Sequence, residues 1–365
     1  MSKLFEPGKI NGMVIANRFV RSATWEAMAT DDGACTPQLI DLMAGLAKGG
    51  VGLIITGHSY ISKEGQAGPR QLGVYKDELI PGLAEMTRVV HDRGGKIAMQ
   101  LAHAGFNAKS KHTGQTPFAP SMVKGLSKSP QREMSLTDIR QVVRAFAQAS
   151  QRAKTAGFDA VQIHSAHGYL LSQFLSPIYN KRTDMYGGDI HNRARALIEI
   201  LQAIRKETGP DYPVLVKLNT QDFAENGLSL ADSVRVGVML NENGIDAIEL
   251  SGGIYINGKF GAILRTGIKS ETDEAYFSDG AMAFKEKVHI PLLLVGGIRS
   301  FQVAESLVVR GVADYISMSR PFIREPNLIN RWRSGDLKKA RCVSDNRCFE
   351  PIKEGGGVRC VREMK

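Results

Sequence analysis

Two histidines and a tyrosine in His164-Ser165-Ala166-His167-Gly168-Tyr169 have the types and spacing to do chemistry together. Two imidazoles can donate hydrogen bonds to one carbonyl oxygen and polarise it, while a phenol delivers a proton nearby. On the residues alone, a metal pair or a satisfied buried histidine stays open beside that reading. A metal would want a third ligand, and the neighbouring sequence suggests none.

A second group is the cysteines. Cys35 stands alone, whereas Cys342, Cys348 and Cys360 crowd the end of the chain with Asp345 between the first two. Four cysteines so unevenly placed do not make a disulfide scaffold.

The elements that must position these residues read as a repeating rhythm. Near-continuous apolar runs recur at Arg18–Ser22, Gly52–Thr56, Lys96–Leu101, Ala160–His164, Val214–Leu218, Ala247–Leu250, Leu292–Val295 and Asp314–Met318. Runs of this kind mark strands buried on both faces. Between them lie helix-period stretches at Pro37–Ala47, Ile80–His91, Thr137–Thr155, Asn192–Thr208, Leu230–Asn241 and Phe301–Val309. Thr137 and Ser300 read as N-caps, and Gly157, Gly209 and Gly244 fall where helices stop.

Eight strand-and-helix units predict an α/β protein of the (β/α)8 TIM-barrel class. Leu4–Val14 reads as an N-terminal β-hairpin, with a turn at Gly8 and a second reversal at Asn11-Gly12, plugging the barrel bottom. Residues 1–335 are expected to form the barrel, and 336–365 a short cysteine-containing tail. His164 closes the fourth strand, so the His/Tyr set lies on the face where such barrels build active sites. Two insertions after strand ends, Ala102–Pro130 and Ser251–Tyr276, are candidate substrate loops.

The 365 residues, 43% hydrophobic, hold enough apolar material for one large core, which excludes disorder as the dominant state. No apolar run approaches the ~20 residues of a membrane span. The start lacks a signal core, so a cytoplasmic protein is expected. The net charge of +10 is spread among acids without a basic run, which argues against nucleic acid and for a solvated surface. Small anionic ligands remain compatible.

The run from His164 to Leu175, followed by Ser176-Pro177, Asn180, Arg182-Thr183-Asp184, Tyr186-Gly187-Gly188 and Asn192-Arg193, closely resembles the Old Yellow Enzyme family. Asn17-Arg18-Phe19-Val20 and Gln100-Leu101-Ala102-His103-Ala104-Gly105 extend the resemblance, which spans Leu4 to about Trp332. It implies an FMN-binding barrel that uses NADH or NADPH to reduce the activated C=C bond of an α,β-unsaturated carbonyl compound. By that resemblance His164 and His167 hold the carbonyl and Tyr169 protonates the α-carbon. Gln100 meets the pyrimidine edge of the flavin. Lys217 stands where many relatives carry Arg, keeping the charge but not the planar fork.

Flavin-lining backbone is expected at Ser22, Ala23, Thr24 and Trp25 and at Gly57 and His58. The phosphate is expected at Gly296 and Gly297, helped by the helix from Ser300, and at Ser319 and Arg320. Trp25 and Glu26 are unusual beside the most familiar relatives. Trp25, Tyr255 and Arg265 are the candidate substrate contacts, with Lys269 a further cation that could equally face water.

The tail resembles the iron–sulfur segment of the 2,4-dienoyl-CoA reductase-like branch, with Asp345 at the second cysteine position. Cys342, Asp345, Cys348 and Cys360 could hold an iron–sulfur cluster. No stable cluster is expected, because the flavin and nicotinamide domains that it serves in that branch are not in this sequence. A zinc site, redox-sensitive thiols or plain packing are the competing readings. Alternatives for the whole chain are a flavin-dependent dehydrogenase of an amine or acyl thioester, or a flavin redox subunit with an external electron partner. A homo-oligomer is compatible with either.

Overall fold

The computed structural model describes residues 2–123, 131–255 and 261–364. The parts of the two insertions at 124–130 and 256–260 lie outside them. Eight parallel strands alternate with helices and close into a barrel. They are β1 (Phe19–Arg21), β2 (Leu53–Ile55), β3 (Lys96–Ala102), β4 (Ala160–Ser165), β5 (Val214–Asn219), β6 (Ala247–Ser251), β7 (Leu292–Leu294) and β8 (Tyr315–Met318). Each strand pairs with its neighbours in sequence, and Ile316 of β8 pairs with Phe19 of β1 to complete the ring. All eight expected strands are present within a residue or two.

The helices follow the expected pattern, with two differences in detail. Helix Leu136–Thr155 is capped by Ser135, not by Thr137. The Ser135 hydroxyl accepts from the Asp138 amide while the Asp138 carboxylate accepts from the Ser135 amide. This reciprocal box satisfies two end donors that a cap at Thr137 would leave free. Ser300 does precede helix Phe301–Val309, but its hydroxyl donates to Glu274 Oε1 at 2.7 Å rather than capping the helix.

The N-terminal hairpin pairs Gly8–Ile10 with Met13–Ile15 and reverses once, at Asn11-Gly12, where Asn11 takes a φ of +50°. Gly8 is therefore in a strand and not in a turn. Its need is for space: a side chain there would collide with Tyr315 and Arg18.

Strand periodicity explains the barrel interior. Ile10, Met13 and Ile15 of the hairpin pack beneath Val20, Leu53, Ala98, Ala160, Leu215, Ala247, Leu293 and Tyr315, forming an apolar floor. Successive inward positions on a strand are two residues apart. One step up from that floor the inward residues include Ser22, Gln100, Gln162, Lys217, Glu249 and Ser317, all buried, beside the apolar Ile55. A further step brings His164 and Ser251. The barrel is thus greasy at its base and polar towards its C-terminal mouth.

The tail packs on that mouth. Ala340 N donates to Arg299 O and Val358 N to Glu26 O, both at 2.8 Å, and Arg70 Nη2 donates to Gly356 O at 2.7 Å. Among the described residues no helix is long and apolar enough to cross a membrane.

Candidate active site

At the mouth, the His/Tyr set is brought together as the spacing predicts. The His164 ring centroid lies 5.4 Å from His167 and 4.9 Å from Tyr169, both edge-on. His164 projects from β4, while His167 sits in the following turn with a φ of +63°. That strained backbone is held by Asn219 of β5, whose Oδ1 accepts from the His167 amide at 3.2 Å. His167 Nε2 lies 2.7 Å from Ser251 Oγ of β6. His164 Nδ1, in contrast, is buried without a hydrogen-bond partner among the described residues. Such an atom is costly unless something else meets it.

Burial holds both imidazoles well below their ordinary proton affinity, and the Lys217 charge adds to the effect. Both are neutral at pH 7 and offer one N–H each. Burial likewise raises the Tyr169 phenol above its usual value, so it keeps its proton. Its oxygen lies 3.2 Å from His58 Nε2, in the loop after β2.

Below the histidines lies a buried polar arc. Gln100 Nε2 donates to Gln162 Oε1 at 2.7 Å, and Gln162 Nε2 donates to Glu249 Oε2 at 2.8 Å. Glu249 Oε2 stands 3.3 Å from Lys217 Nζ, which donates to Ser22 Oγ at 2.7 Å. The Lys217 pKa is lowered by burial, with Glu249 opposing. Thr24 Oγ1 lies 2.6 Å from Ser319 Oγ, tying the end of β1 to the end of β8. Ala23 is half-buried beside them. Gly57 N donates at 2.8 Å to Glu26 Oε1, which also accepts from Arg21 Nη2 at 2.8 Å.

Beyond β7 and β8, Gly297, Ser319 and Arg320 line one cavity together with Tyr276 and Arg299. Gly296 and Gly297 have φ of +145° and +74°, conformations open to glycine. Arg320 is steadied through Nη1, which donates to Arg265 O at 2.9 Å and Asn346 Oδ1 at 2.7 Å. The expected contribution of the helix after Ser300 is altered. Glu274 Oε2 accepts from the Arg299 and Ser300 amides, so a carboxylate of the chain itself already occupies that helix end.

The three candidate substrate contacts do not form one group. Trp25 packs against Gly68 with its ring 6.4 Å from His58, near the His/Tyr set. Tyr255 lies in the loop after β6, next to Ile254, which bridges to His167, and its carbonyl accepts from the Tyr179 hydroxyl at 3.2 Å. Arg265 lies instead beside the Arg320 cavity, its guanidinium 4.5 Å from the Tyr276 ring centroid and 5.5 Å from that of Phe223. Lys269 is exposed.

In the tail, Cys342, Asp345, Cys348 and Cys360 line a single pocket with Arg320, Arg324 and Arg362. Burial pushes the Cys348 thiol up to about 12. Asp345 is engaged by Arg362 Nε at 2.8 Å. Among the described residues, no three such side chains are arranged to hold a metal ion.

Gln162, Glu249, Asn219 and Ser251 were not singled out from the sequence. A signal existed: each follows, by two or four residues in a strand, a residue of the apolar floor.

An amide and a buried ammonium in the barrel interior, with glycines and an arginine beyond β7 and β8, have the chemistry that a planar redox ring bearing a phosphate requires of its donors. The fold and site define a flavin-type oxidoreductase barrel. Residues 3–339 match the NADH:flavin oxidoreductase / NADH oxidase family, and the chain belongs to it. FMN is the cofactor of this family and NADH or NADPH its reductant, and the residues present fit FMN. The chain is 35% identical over 326 residues to an NADPH dehydrogenase of Bacillus subtilis, covering 89% of this chain and 92% of that one. It is 34% identical over 348 residues to an NADH oxidase of Thermoanaerobacter brockii, covering 94% of this chain but 52% of the relative, and so spans about half that relative's length. The solved Old Yellow Enzyme homologue from Zymomonas mobilis superposes with a TM-score of 0.78 at 27% identity, covering 94% of this chain and 99% of the other.

Proposed function

We propose that this chain reduces the activated C=C bond of α,β-unsaturated carbonyl compounds with electrons from NADH or NADPH. The observation that carries the reading is the unpartnered, buried Nδ1 of His164 beside His167 and Tyr169. A substrate carbonyl oxygen would meet that atom. A Ser251 hydroxyl that donates to His167 Nε2 would leave the His167 proton on Nδ1 and make the ring a second donor. Two neutral donors withdraw electrons from the alkene without needing protonation. Tyr169 then gives its O–H proton to the α-carbon and is left as a phenolate that water reprotonates.

FMN, when bound, supplies the hydride that enters at the β-carbon. Gln100 would meet the pyrimidine edge of the ring, and Lys217 would stabilise negative charge collecting there. Ser22, Ala23, Thr24 and Gly57 would line the ring, and Gly296, Gly297, Ser319 and Arg320 would hold the phosphate. Residues 336–365, read as a tail closing the mouth, would brace Arg320 through Asn346.

The test is product analysis with the FMN-loaded protein, NADPH and 2-cyclohexenone in deuterated water. The expected product is the saturated ketone with deuterium from solvent at the α-carbon. Absence of alkene reduction, with NADPH still oxidised by dioxygen, contradicts the reading.

A further inference from the structure

The reaction just described leaves Glu249 without a task. This carboxylate is fully buried, and its Oε1 has no hydrogen-bond partner among the described residues. It stands level with Lys217 on the adjoining strand, through the register pair Lys217–Glu249. Gln162 bridges from it to Gln100. The two side chains assigned to the flavin, on β3 and β5, are therefore joined through β4 and β6 into one arc.

A carboxylate placed this way is expensive. Removing two charges from water costs several kcal/mol per ion, and a buried pair is weak evidence for stability. The packing would be served as well by an uncharged side chain of similar volume. What an uncharged side chain cannot supply is an opposing field. In a low-dielectric interior, a negative charge 3.3 Å from Lys217 Nζ cancels much of the field that the ammonium projects upward. The other groups facing the ammonium are the Ser22 hydroxyl, His164 on β4, His167 in the turn after it and the like charge of Arg21. Glu249 is the one anion in ion-pair contact with it among the described residues.

We propose that Glu249 is the counter-charge that sets the reduction potential of the bound flavin, by partly neutralising Lys217. The inference rests on the reading that Lys217 lies against the flavin ring. Reduction adds negative charge to that ring, and a bare ammonium would favour it more than an ammonium already paired. Glu249 thereby holds the potential down and keeps the reduced enzyme a stronger hydride donor. It acts through Lys217, so it is a positioning residue.

The experiment is a potentiometric titration of the FMN-loaded holoenzyme against a reference dye at pH 7. Glu249→Gln is expected to shift the flavin potential positive of wild type. Glu249→Met, neutral and of similar volume, is expected to do the same, and it carries the test if the Gln variant does not load FMN. Glu249→Asp keeps the charge and is expected to stay nearer wild type than either. Lys217→Met is expected to shift the potential negative. Neutral variants at or below the wild-type potential, with Lys217→Met still shifted negative, overturn the role of Glu249 alone. No shift in Lys217→Met overturns the placement of Lys217 and this inference with it.

Discussion

His58 Nε2 lies 3.2 Å from the phenolic oxygen of Tyr169, so the loop after β2 steadies the phenol that follows β4 and that we propose as the proton donor. Burial lowers the His58 pKa to about 4, leaving a neutral partner at pH 7. One such hydrogen bond is worth roughly 1.4 kcal/mol, about a factor of ten in rate. His58→Leu should slow flavin reoxidation by an enone about tenfold and leave flavin reduction by NADPH unchanged. Stopped-flow measurement of the two half-reactions checks this. Equal slowing of both would point to a disturbed flavin site instead.

Arg21 and Glu26 form a buried ion pair at 2.8 Å, both side chains 4% exposed. Removing one partner strands the other, at a cost of about 3–5 kcal/mol. Glu26→Ala should lower unfolding stability by that order, with Arg21→Met/Glu26→Met recovering much of it. Denaturant titration of the apoprotein measures both. A single variant as stable as wild type would show the pair to be dispensable.

Tyr276 Cε1 stands 2.7 Å from where a side chain on Gly297 would begin, and the φ there is +74°. Gly297→Ala should therefore narrow the cavity proposed to hold the phosphate and weaken FMN binding at least tenfold. Fluorescence titration of apoprotein with FMN and with riboflavin separates a phosphate effect from a ring effect. The loss should be confined to FMN.

Acid should destabilise the fold through its buried histidines. Burial depresses His103 to about 3, below the unfolded value of about 6.5. The unfolded chain thus takes up a proton that the fold refuses, and stability is full above pH 6.5 and declines as pH falls. At pH 5 the deficit is roughly 2 kcal/mol for such a histidine. His103→Gln should show a shallower decline in unfolding free energy between pH 7 and pH 5. A decline as steep as in wild type would mean other groups dominate.

The barrel was legible because strands buried on both faces are written as apolar runs, and the eight runs stand out between helix-period stretches. The His164, His167 and Tyr169 set was legible because three polar groups lie within six residues. Gln162 and Glu249 escaped for the opposite reason. Each is a polar residue flanked by apolar neighbours in its strand, and Glu249 meets Gln162 across 87 residues and Lys217 across the strand pair. Gly8 was misplaced in a turn because glycine signals either a reversal or a close approach, and only the Tyr315 contact decides which. Glu274, at the end of helix Phe301–Val309, comes from a loop 25 residues upstream of Arg299, beyond any local capping pattern.

The proton step from Tyr169 is the centre of the account, and Tyr169→Phe tests it most directly. Reduced, FMN-loaded Tyr169→Phe is mixed anaerobically with 2-cyclohexenone, and flavin reoxidation is followed by absorbance. Reoxidation should be slowed at least tenfold while reduction of the oxidised variant by NADPH keeps the wild-type rate. Reoxidation at the wild-type rate would remove Tyr169 from the reaction.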